Sequence, residues 1–333
     1  MNGNGGRSAG TAVVTVLAGL VLTACDSKSS AQKPDSDKPL VITTTTVITD
    51  LAQQIGGDRV RVVPLMKPGV DPHVYEPRPD DSILVRKADL VLYNGLHLEG
   101  KMVQVFENAG GKAVALAEDE RIKTRGSETY EGAPDPHCWW NPKYFAVYAE
   151  RARDALVDVD SANADYYRQR AADFLKALTT LDEQIRAAIE QIPSAQRYLI
   201  TSHDAFYYYG QAYGLKVDAV LGISTDADVR ALRIDELAAL VTEHKVPAIF
   251  HETSVSASLN EMVDRVVELS AKRGHTVTVP HTALYSDSLG DTGTPAGTYL
   301  GALRENTRVI VSALAGQDVS DILAPKEVAG DDE

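Results

Sequence analysis

The sequence predicts an α/β protein of two lobes, each with a mostly parallel sheet flanked by helices, joined by one long backbone helix. Short β-rich runs alternate with helix-like stretches in the first half of the chain, and the alternation begins again after Pro193. Such alternation is typical of parallel sheets. Between the halves, residues 161–192 contain neither Gly nor Pro. The length of 333 residues also suits two domains of roughly 150 residues each.

The N-terminal segment, residues 1–24, is predicted to be a lipoprotein signal peptide. It carries one positive charge, Arg7, followed by an apolar stretch at 12–22 that is too short to span a membrane comfortably. The stretch ends in Leu-Thr-Ala-Cys, which resembles a bacterial lipobox whose cysteine, Cys25, is lipidated and becomes the mature N-terminus. The alternative is a plain secretory signal with an incidental cysteine. Residues 25–39, rich in Ser, Lys, Asp and Pro, are predicted to be a disordered tether.

The N-terminal α/β lobe is predicted at residues 40–160. β-rich runs predict strands at 40–45, 60–65, 90–94 and 113–116, and helical patterns predict helices at 47–55, 98–108 and 142–157. Residues 161–192 are predicted to be the linking helix, because Phe174, Leu178 and Leu181 recur at helical spacing. About 30 residues of helix would reach roughly 45 Å, which suits a rigid strut between lobes.

The C-terminal α/β lobe is predicted at residues 193–320. Its expected strands are 198–201, 217–221, 248–251 and 276–279, and its expected helices are 232–244, 259–272 and 298–315. The last residues, 321–333, are predicted to be an acidic tail that is frayed from Pro325 onward.

Composition excludes several classes of protein. The chain has 47 Asp and Glu against 33 Lys and Arg, a net charge of -14, which argues against nucleic acid or an anionic membrane surface as the main partner. No apolar run of about 18 residues follows the signal segment, which excludes a multispanning membrane protein. Two cysteines cannot build a disulfide scaffold.

Four loops carry side chains that can bind a metal. His73 and His137 each follow Asp-Pro, His203 stands at the end of a predicted strand, and Asp287 lies in a loop after another strand. Each one alone is more typical of a surface, capping or turn residue. In open α/β sheets, however, ligands bind beyond the carboxyl ends of the strands. Three neutral imidazoles and one carboxylate, two residues from each lobe, suit a divalent ion such as Zn²⁺ or Mn²⁺.

These loops resemble the cluster A-I metal-binding lipoproteins of ABC importers, and the TroA-like type in particular. The stretches that carry the resemblance are 68–77, Asp-Pro-His at 135–137, Ser-His-Asp-Ala-Phe at 202–206 and Ser-Asp-Ser-Leu-Gly at 286–290. The resemblance runs from about residue 40 to about residue 316. It implies that His73, His137, His203 and Asp287 are the ligands of one divalent ion, zinc or manganese, which is transported cargo.

The resemblance also implies a function. The protein would be an extracytoplasmic solute-binding lipoprotein, not an enzyme, that captures the ion between its lobes and delivers it to an ABC permease with its ATPase. It would be a monomer on the outer face of the cytoplasmic membrane, anchored by the lipid on Cys25. Zinc-specialised members often carry a His-rich loop, whereas residues 118–133 contain no histidine, and manganese-type members often have Glu where His203 stands. The metal therefore stays open among zinc, manganese and iron.

Two other functions, a secreted zinc hydrolase and a surface adhesin, have less support in the sequence. A secreted zinc hydrolase would need a base such as Glu252, but the sequence has no H-E-x-x-H helix and no G-x-S-x-G elbow. A surface adhesin is not supported by any repeat or low-complexity segment. His251 and Glu252 follow a predicted strand and are possible supporting residues behind the ligands, although a buried hydrogen-bonded pair is the commoner arrangement. Cys138 is expected to pack in the core.

Overall fold

The computed structural model describes residues 1–3, 5–6, 37–126, 132–227 and 229–325. The chain divides into two compact units, Met1–Gln32 and Lys33–Glu333, and the elements below belong to the second. Cys25 and nearly all of the predicted signal peptide and tether lie outside the described residues, as does most of the predicted tail. Within the described ranges, no helix combines the length and apolarity that crossing a membrane requires.

The first half of this unit forms a parallel sheet with strand order β2-β1-β3-β4. Its strands are β1 (Leu40–Thr43), β2 (Arg61–Pro64), β3 (Leu90–Tyr93) and β4 (Ala113–Ala115), and its helices are α1 (Thr46–Gly56), α2 (Pro79–Lys87), α3 (Val103–Glu107) and α4 (Pro142–Val159). The central strands β1 and β3 are mostly apolar and mostly buried, as a sheet covered on both faces requires. At the start of α4, the Asn141 side chain accepts a hydrogen bond from the Lys143 N–H, and Pro142 occupies the first turn.

The long helix, α5, spans Ala164–Ile189 and follows a 3-10 turn at Ser161–Asn163. It is therefore shorter at both ends than the predicted range of 161–192. At about 1.5 Å per residue its 26 residues reach roughly 39 Å. Its buried face includes Phe174, Leu178 and Leu181, in agreement with the predicted periodicity.

The second half contains a smaller parallel sheet of β5 (Tyr198–Thr201) and β6 (Lys216–Ala219). Its helices are α6 (Tyr207–Tyr213), α7 (Ala231–Glu243), α8 (Ala257–Lys272), α9 (Tyr299–Ala315) and α10 (Ser320–Leu323). The predicted fold class is confirmed, since two parallel sheets flanked by helices lie on either side of α5 in the chain.

Two predicted strands, 248–251 and 276–279, do not form ladders. A single parallel bridge joins Ala248 to Thr278, and the Phe250 N–H donates to the Ile200 carbonyl of β5 at 2.9 Å. These segments therefore extend the sheet by isolated contacts, and Pro247 beside them has no N–H to donate. The prediction of a helix over 98–108 was also too long, because only α3 is α-helical there, and α2 and α6 were not predicted.

One hydrophobic core passes through both halves. It contains Leu51 from α1, Trp140, Leu178 from α5, Phe206 and Tyr299 from α9, all buried. α5 packs against α1 and α4 on one side and against α9 and α10 on the other. The long helix is thus embedded in shared packing rather than standing free between lobes.

Candidate metal site

Four buried side chains, those of His73, His137, His203 and Asp287, converge at one place. One ligand atom of each lies within 4.8 Å of the ligand atoms of the others. His73 lies in the loop after β2, His137 just before α4, and His203 two residues after β5. Asp287 follows the extended segment whose residue Leu284 bridges to Glu252. The sequence-predicted candidates are therefore neighbours in space.

The distances within this cluster suit a single ion. His73 Nε2 lies 3.2 Å from His137 Nε2 and 3.6 Å from Asp287 Oδ2. His203 Nε2 lies 3.2 Å from Asp287 Oδ2, and His137 Nε2 lies 3.5 Å from Asp287 Oδ1. A tetrahedral ion with bonds of about 2.0–2.1 Å would hold its ligand atoms about 3.3 Å apart. These four distances are close to that value, and all of the ligand atoms lie within 4.8 Å of one another.

Hydrogen bonding also points to a cation. Among the described residues, neither carboxylate oxygen of Asp287 has a hydrogen-bond partner, and His203 Nε2 has none. Asp287 is almost completely buried, and an ionised carboxylate in such a place needs a compensating positive charge. Burial raises the pKa of Asp287, but the charges of His203 and its neighbours outweigh burial and hold that pKa below its usual value. A bound divalent cation would satisfy these atoms.

The two Asp-Pro-His sequences form matching supports. Asp71 Oδ1 accepts a hydrogen bond from the backbone N–H of His73 at 2.9 Å, and Asp135 Oδ1 accepts one from that of His137 at 3.0 Å. Asp135 Oδ1 also lies 2.8 Å from His137 Nδ1. Burial raises the pKa of Asp135, but His137 and Arg125 outweigh it and the net shift is downward. The ionised Asp135 therefore keeps the proton on Nδ1 and leaves Nε2 of His137 to face the cluster.

His203 is supported by Glu252 in the same way. Glu252 Oε1 accepts from the backbone N–H of His203 at 2.7 Å, and Oε2 lies 2.6 Å from His203 Nδ1. His251, the other predicted supporting residue, turns instead toward α8, where its Nε2 lies 3.0 Å from Asp264 Oδ1. Of the predicted pair, the structure thus brings only Glu252 against a candidate ligand.

Asp287 is positioned by contacts that reach across the molecule. Its backbone N–H donates to Ser254 Oγ at 3.1 Å, and Ser254 Oγ lies 2.8 Å from Ser286 Oγ. The Ser286 carbonyl accepts from the indole N–H of Trp139 at 3.2 Å and from that of Trp140 at 2.9 Å. Residues of the first half therefore fix the loop that carries the carboxylate.

His73 is the most exposed of the four residues. His73 is 8% exposed, whereas the other three residues are 1% exposed or less. A cavity of about 260 Å³ borders His73 and is lined by Pro136 of the first half and by Ile223 of the second, among others.

Cys138 lies in the hydrophobic core, where burial raises the pKa of its thiol.

Sequence reasoning missed the supporting carboxylates Asp71 and Asp135. A signal was present, because an Asp two residues before a functional His can accept that residue's backbone N–H while the intervening Pro has none to offer. Arg125, which lies 3.0 Å from Asp135 Oδ2, carried no comparable signal in the sequence.

Comparison with known proteins places the chain in a family. A family model described as "ZnuA: Zinc-uptake complex component A periplasmic" matches residues 41–313. The chain is 38% identical to the "Manganese-binding lipoprotein MntA" of Bacillus subtilis (strain 168) over 307 residues, covering 92% of this chain and 99% of that protein. It is 37% identical to the "Zinc-binding protein TroA" of Treponema pallidum (strain Nichols) over 279 residues, covering 84% and 89% respectively.

Solved structures agree. The structure of the periplasmic zinc-binding protein TroA from Treponema pallidum matches with a TM-score of 0.79 at 37% identity, covering 84% of this chain and 99% of that one. The match in sequence and fold extends over both halves and includes all of the loops that carry the four converging side chains. The chain therefore belongs to the ZnuA family.

Proposed function

We propose that this protein is an extracytoplasmic solute-binding lipoprotein that captures one divalent metal ion, zinc or manganese, and delivers it to an ABC permease with its ATPase. The observation that carries the proposal is the convergence of three imidazoles on a buried carboxylate that has no hydrogen-bond partner among the described residues. Relatives named for manganese and for zinc support it.

The proposed ligands are His73, His137, His203 and Asp287. Both oxygens of Asp287 face the cluster, with Oδ1 toward His137 and Oδ2 toward His73 and His203. The carboxylate can therefore bind through one oxygen or through two. Four ligand atoms suit Zn²⁺, whereas a fifth suits an ion of higher coordination number such as Mn²⁺. This freedom is consistent with a site that accepts either metal.

The arrangement of the mature chain is part of the proposal. Cys25 carries the lipid, residues 25–39 are the tether, and the monomeric folded part lies on the outer face of the cytoplasmic membrane. The N-terminal lobe covers 40–160 and the C-terminal lobe covers 193–320, with the linking helix between them.

A zinc hydrolase is disfavoured by the position of Glu252. Its Oε1 accepts from the backbone N–H of His203 and its Oε2 lies against Nδ1 of the same residue. A general base must instead reach a water bound to the metal. Glu252 is buried behind His203, so the protein is proposed to bind and release its metal ion without catalysing hydrolysis.

Titration with Zn²⁺ and with Mn²⁺ against a competing chelator tests the proposal. The wild-type protein should bind one ion, and the variant His203→Ala/Asp287→Ala should lose at least about a hundredfold in affinity, more than loss of a supporting residue costs. His281→Ala removes an exposed histidine and is the matched control, expected to bind as the wild type does. Full affinity in the double variant would refute the ligand assignment. Unimpaired metal uptake in a strain lacking the gene would refute the transport role.

A further inference from the structure

Arg125 contacts one carboxylate from each half of the molecule. Its Nε lies 3.0 Å from Asp135 Oδ2, and its Nη2 lies 2.5 Å from Asp204 Oδ2. Asp135 supports His137, and Asp204 directly follows His203. One guanidinium therefore joins the loops that carry a histidine from each half.

The two oxygens of the Asp135 carboxylate have different partners. Oδ1 of Asp135 lies against Nδ1 and the backbone N–H of His137, whereas Oδ2 lies against Arg125. The Asp135 backbone N–H also donates to the Arg125 carbonyl at 2.9 Å. Movement of Arg125 would thus be transmitted to the imidazole of His137 through one side chain.

Aromatic residues of α6 hold Arg125 from the other half. The guanidinium lies over the ring of Tyr207, 3.7 Å from its centroid. The Tyr208 hydroxyl accepts from the Arg125 backbone N–H at 3.1 Å and donates to the Asp135 carbonyl at 3.1 Å. Tyr207 and Tyr208 therefore fix this contact between the halves.

We propose that Arg125 is a positioning residue that couples the loops of His137 and His203, so that both imidazoles face the metal together. The inference rests on the proposed metal-binding function and adds a residue that does not touch the ion. The planar fork of Arg can engage two carboxylates at once in fixed geometry, which Lys cannot reproduce. Loss of the fork should let the two loops move independently and should speed release of the metal.

Affinity and dissociation rate for Zn²⁺ test this role. In chelator competition and stopped-flow chelator chase, Arg125→Gln should weaken binding by about tenfold to a hundredfold, mainly through faster dissociation. Arg125→Lys should recover only part of the loss. The control is Arg121→Gln, since Arg121 pairs with Asp119 and Glu150 of the first half only, and it should stay within about twofold of the wild type. Wild-type affinity in Arg125→Gln would overturn the proposal, whereas a wild-type protein that binds no metal would overturn the proposed function itself.

A double-mutant cycle separates coupling from simple charge balance. Asp204→Asn should weaken Zn²⁺ binding, and Arg125→Gln/Asp204→Asn should bind about as weakly as Arg125→Gln alone, because the link is already broken. Recovery of near wild-type affinity in the double variant would mean that Arg125 only neutralises Asp204. Independent, multiplying effects would mean that the residues do not act through each other. Either result would overturn the proposal, and thermal melting of the metal-free variants verifies that each is folded.

Discussion

At the scale of single residues, the histidines of the site differ in how strongly they hold a proton. Burial lowers the pKa of His73 to about 3, so this imidazole stays neutral. Burial acts in the same direction on His203, but Glu252 and Asp287 outweigh it, and the pKa of His203 is raised well above 6.5. If both residues are ligands as proposed, an incoming metal displaces a proton from His203 and none from His73.

Metal affinity should consequently fall as the pH is lowered. Because the pKa of metal-free His203 is raised, binding releases a proton at neutral pH, and affinity should drop about tenfold per pH unit in that range. A histidine of ordinary pKa would bind protons in competition with the metal only below about pH 6.5. Zn²⁺ affinity in non-coordinating buffers between about pH 6 and 8 measures the slope. Glu252→Gln removes a charge that raises the pKa of His203, and it should flatten the slope, whereas a pH-independent affinity in the wild type would contradict the argument.

At the scale of elements, long periodic segments were predictable and short or irregular ones were not. The mostly apolar composition of β1 and β3 predicts strands there. The periodicity of apolar residues over several turns predicts the helix α5. The short sequence of α6 has no such periodicity, and its three consecutive tyrosines have a composition that favours strands. The composition of residues 248–251 predicts a strand, but whether that segment forms a ladder depends on backbone partners far away in the sequence.

The site was predictable only in part for the same reason. The metal-capable side chains could be recognised from their loops, but their convergence depends on contacts between residues far apart in the sequence. The resemblance of the four loops to a known family supplied what local patterns could not. The roles of Asp71 and Asp135 could have been predicted from the repeated Asp-Pro-His sequence. The contacts of Arg125 with Asp135 and Asp204 could not, because no local sequence pattern indicates them.

Substitutions in α5 distinguish helix stiffness from shared packing. Ala172→Gly/Lys176→Gly alters exposed positions and should cost about 1–2 kcal/mol of the free energy of unfolding through helix propensity. Zn²⁺ affinity should stay within about twofold, because the buried face of α5 is intact. Leu178→Ala removes a buried side chain and should cost about 2–5 kcal/mol. Urea denaturation measures both, and a large loss of Zn²⁺ affinity in the exposed glycine variant would show that the stiffness of α5 positions the site.

At the scale of the whole molecule, the two halves share too much packing for a wide hinge. The hydrophobic core includes Leu51 on one side and Tyr299 on the other. The Tyr299 hydroxyl donates to the Trp139 carbonyl at 2.6 Å, and Trp139 in turn donates to the Ser286 carbonyl beside Asp287. Opening the halves widely would break these buried contacts.

Metal binding should therefore change the overall dimensions little. Small-angle scattering of chelator-treated and Zn²⁺-loaded protein should give radii of gyration within a few per cent of each other, around the roughly 19 Å expected for a compact chain of about 300 residues. The change should be confined to the loops of His73, His203 and Asp287. A fall of more than about 2 Å on binding would indicate the hinge closure found in many periplasmic binding proteins and would contradict the shared-core argument.

The central claim is that one divalent ion binds among His73, His137, His203 and Asp287. Anomalous diffraction at the metal absorption edge, from crystals of the metal-loaded protein, tests it most directly. The expected result is a single anomalous peak about 2.0–2.3 Å from Nε2 of each histidine and from a carboxylate oxygen of Asp287. A peak at any other place, or a fully loaded protein with no peak among these four residues, would contradict the claim.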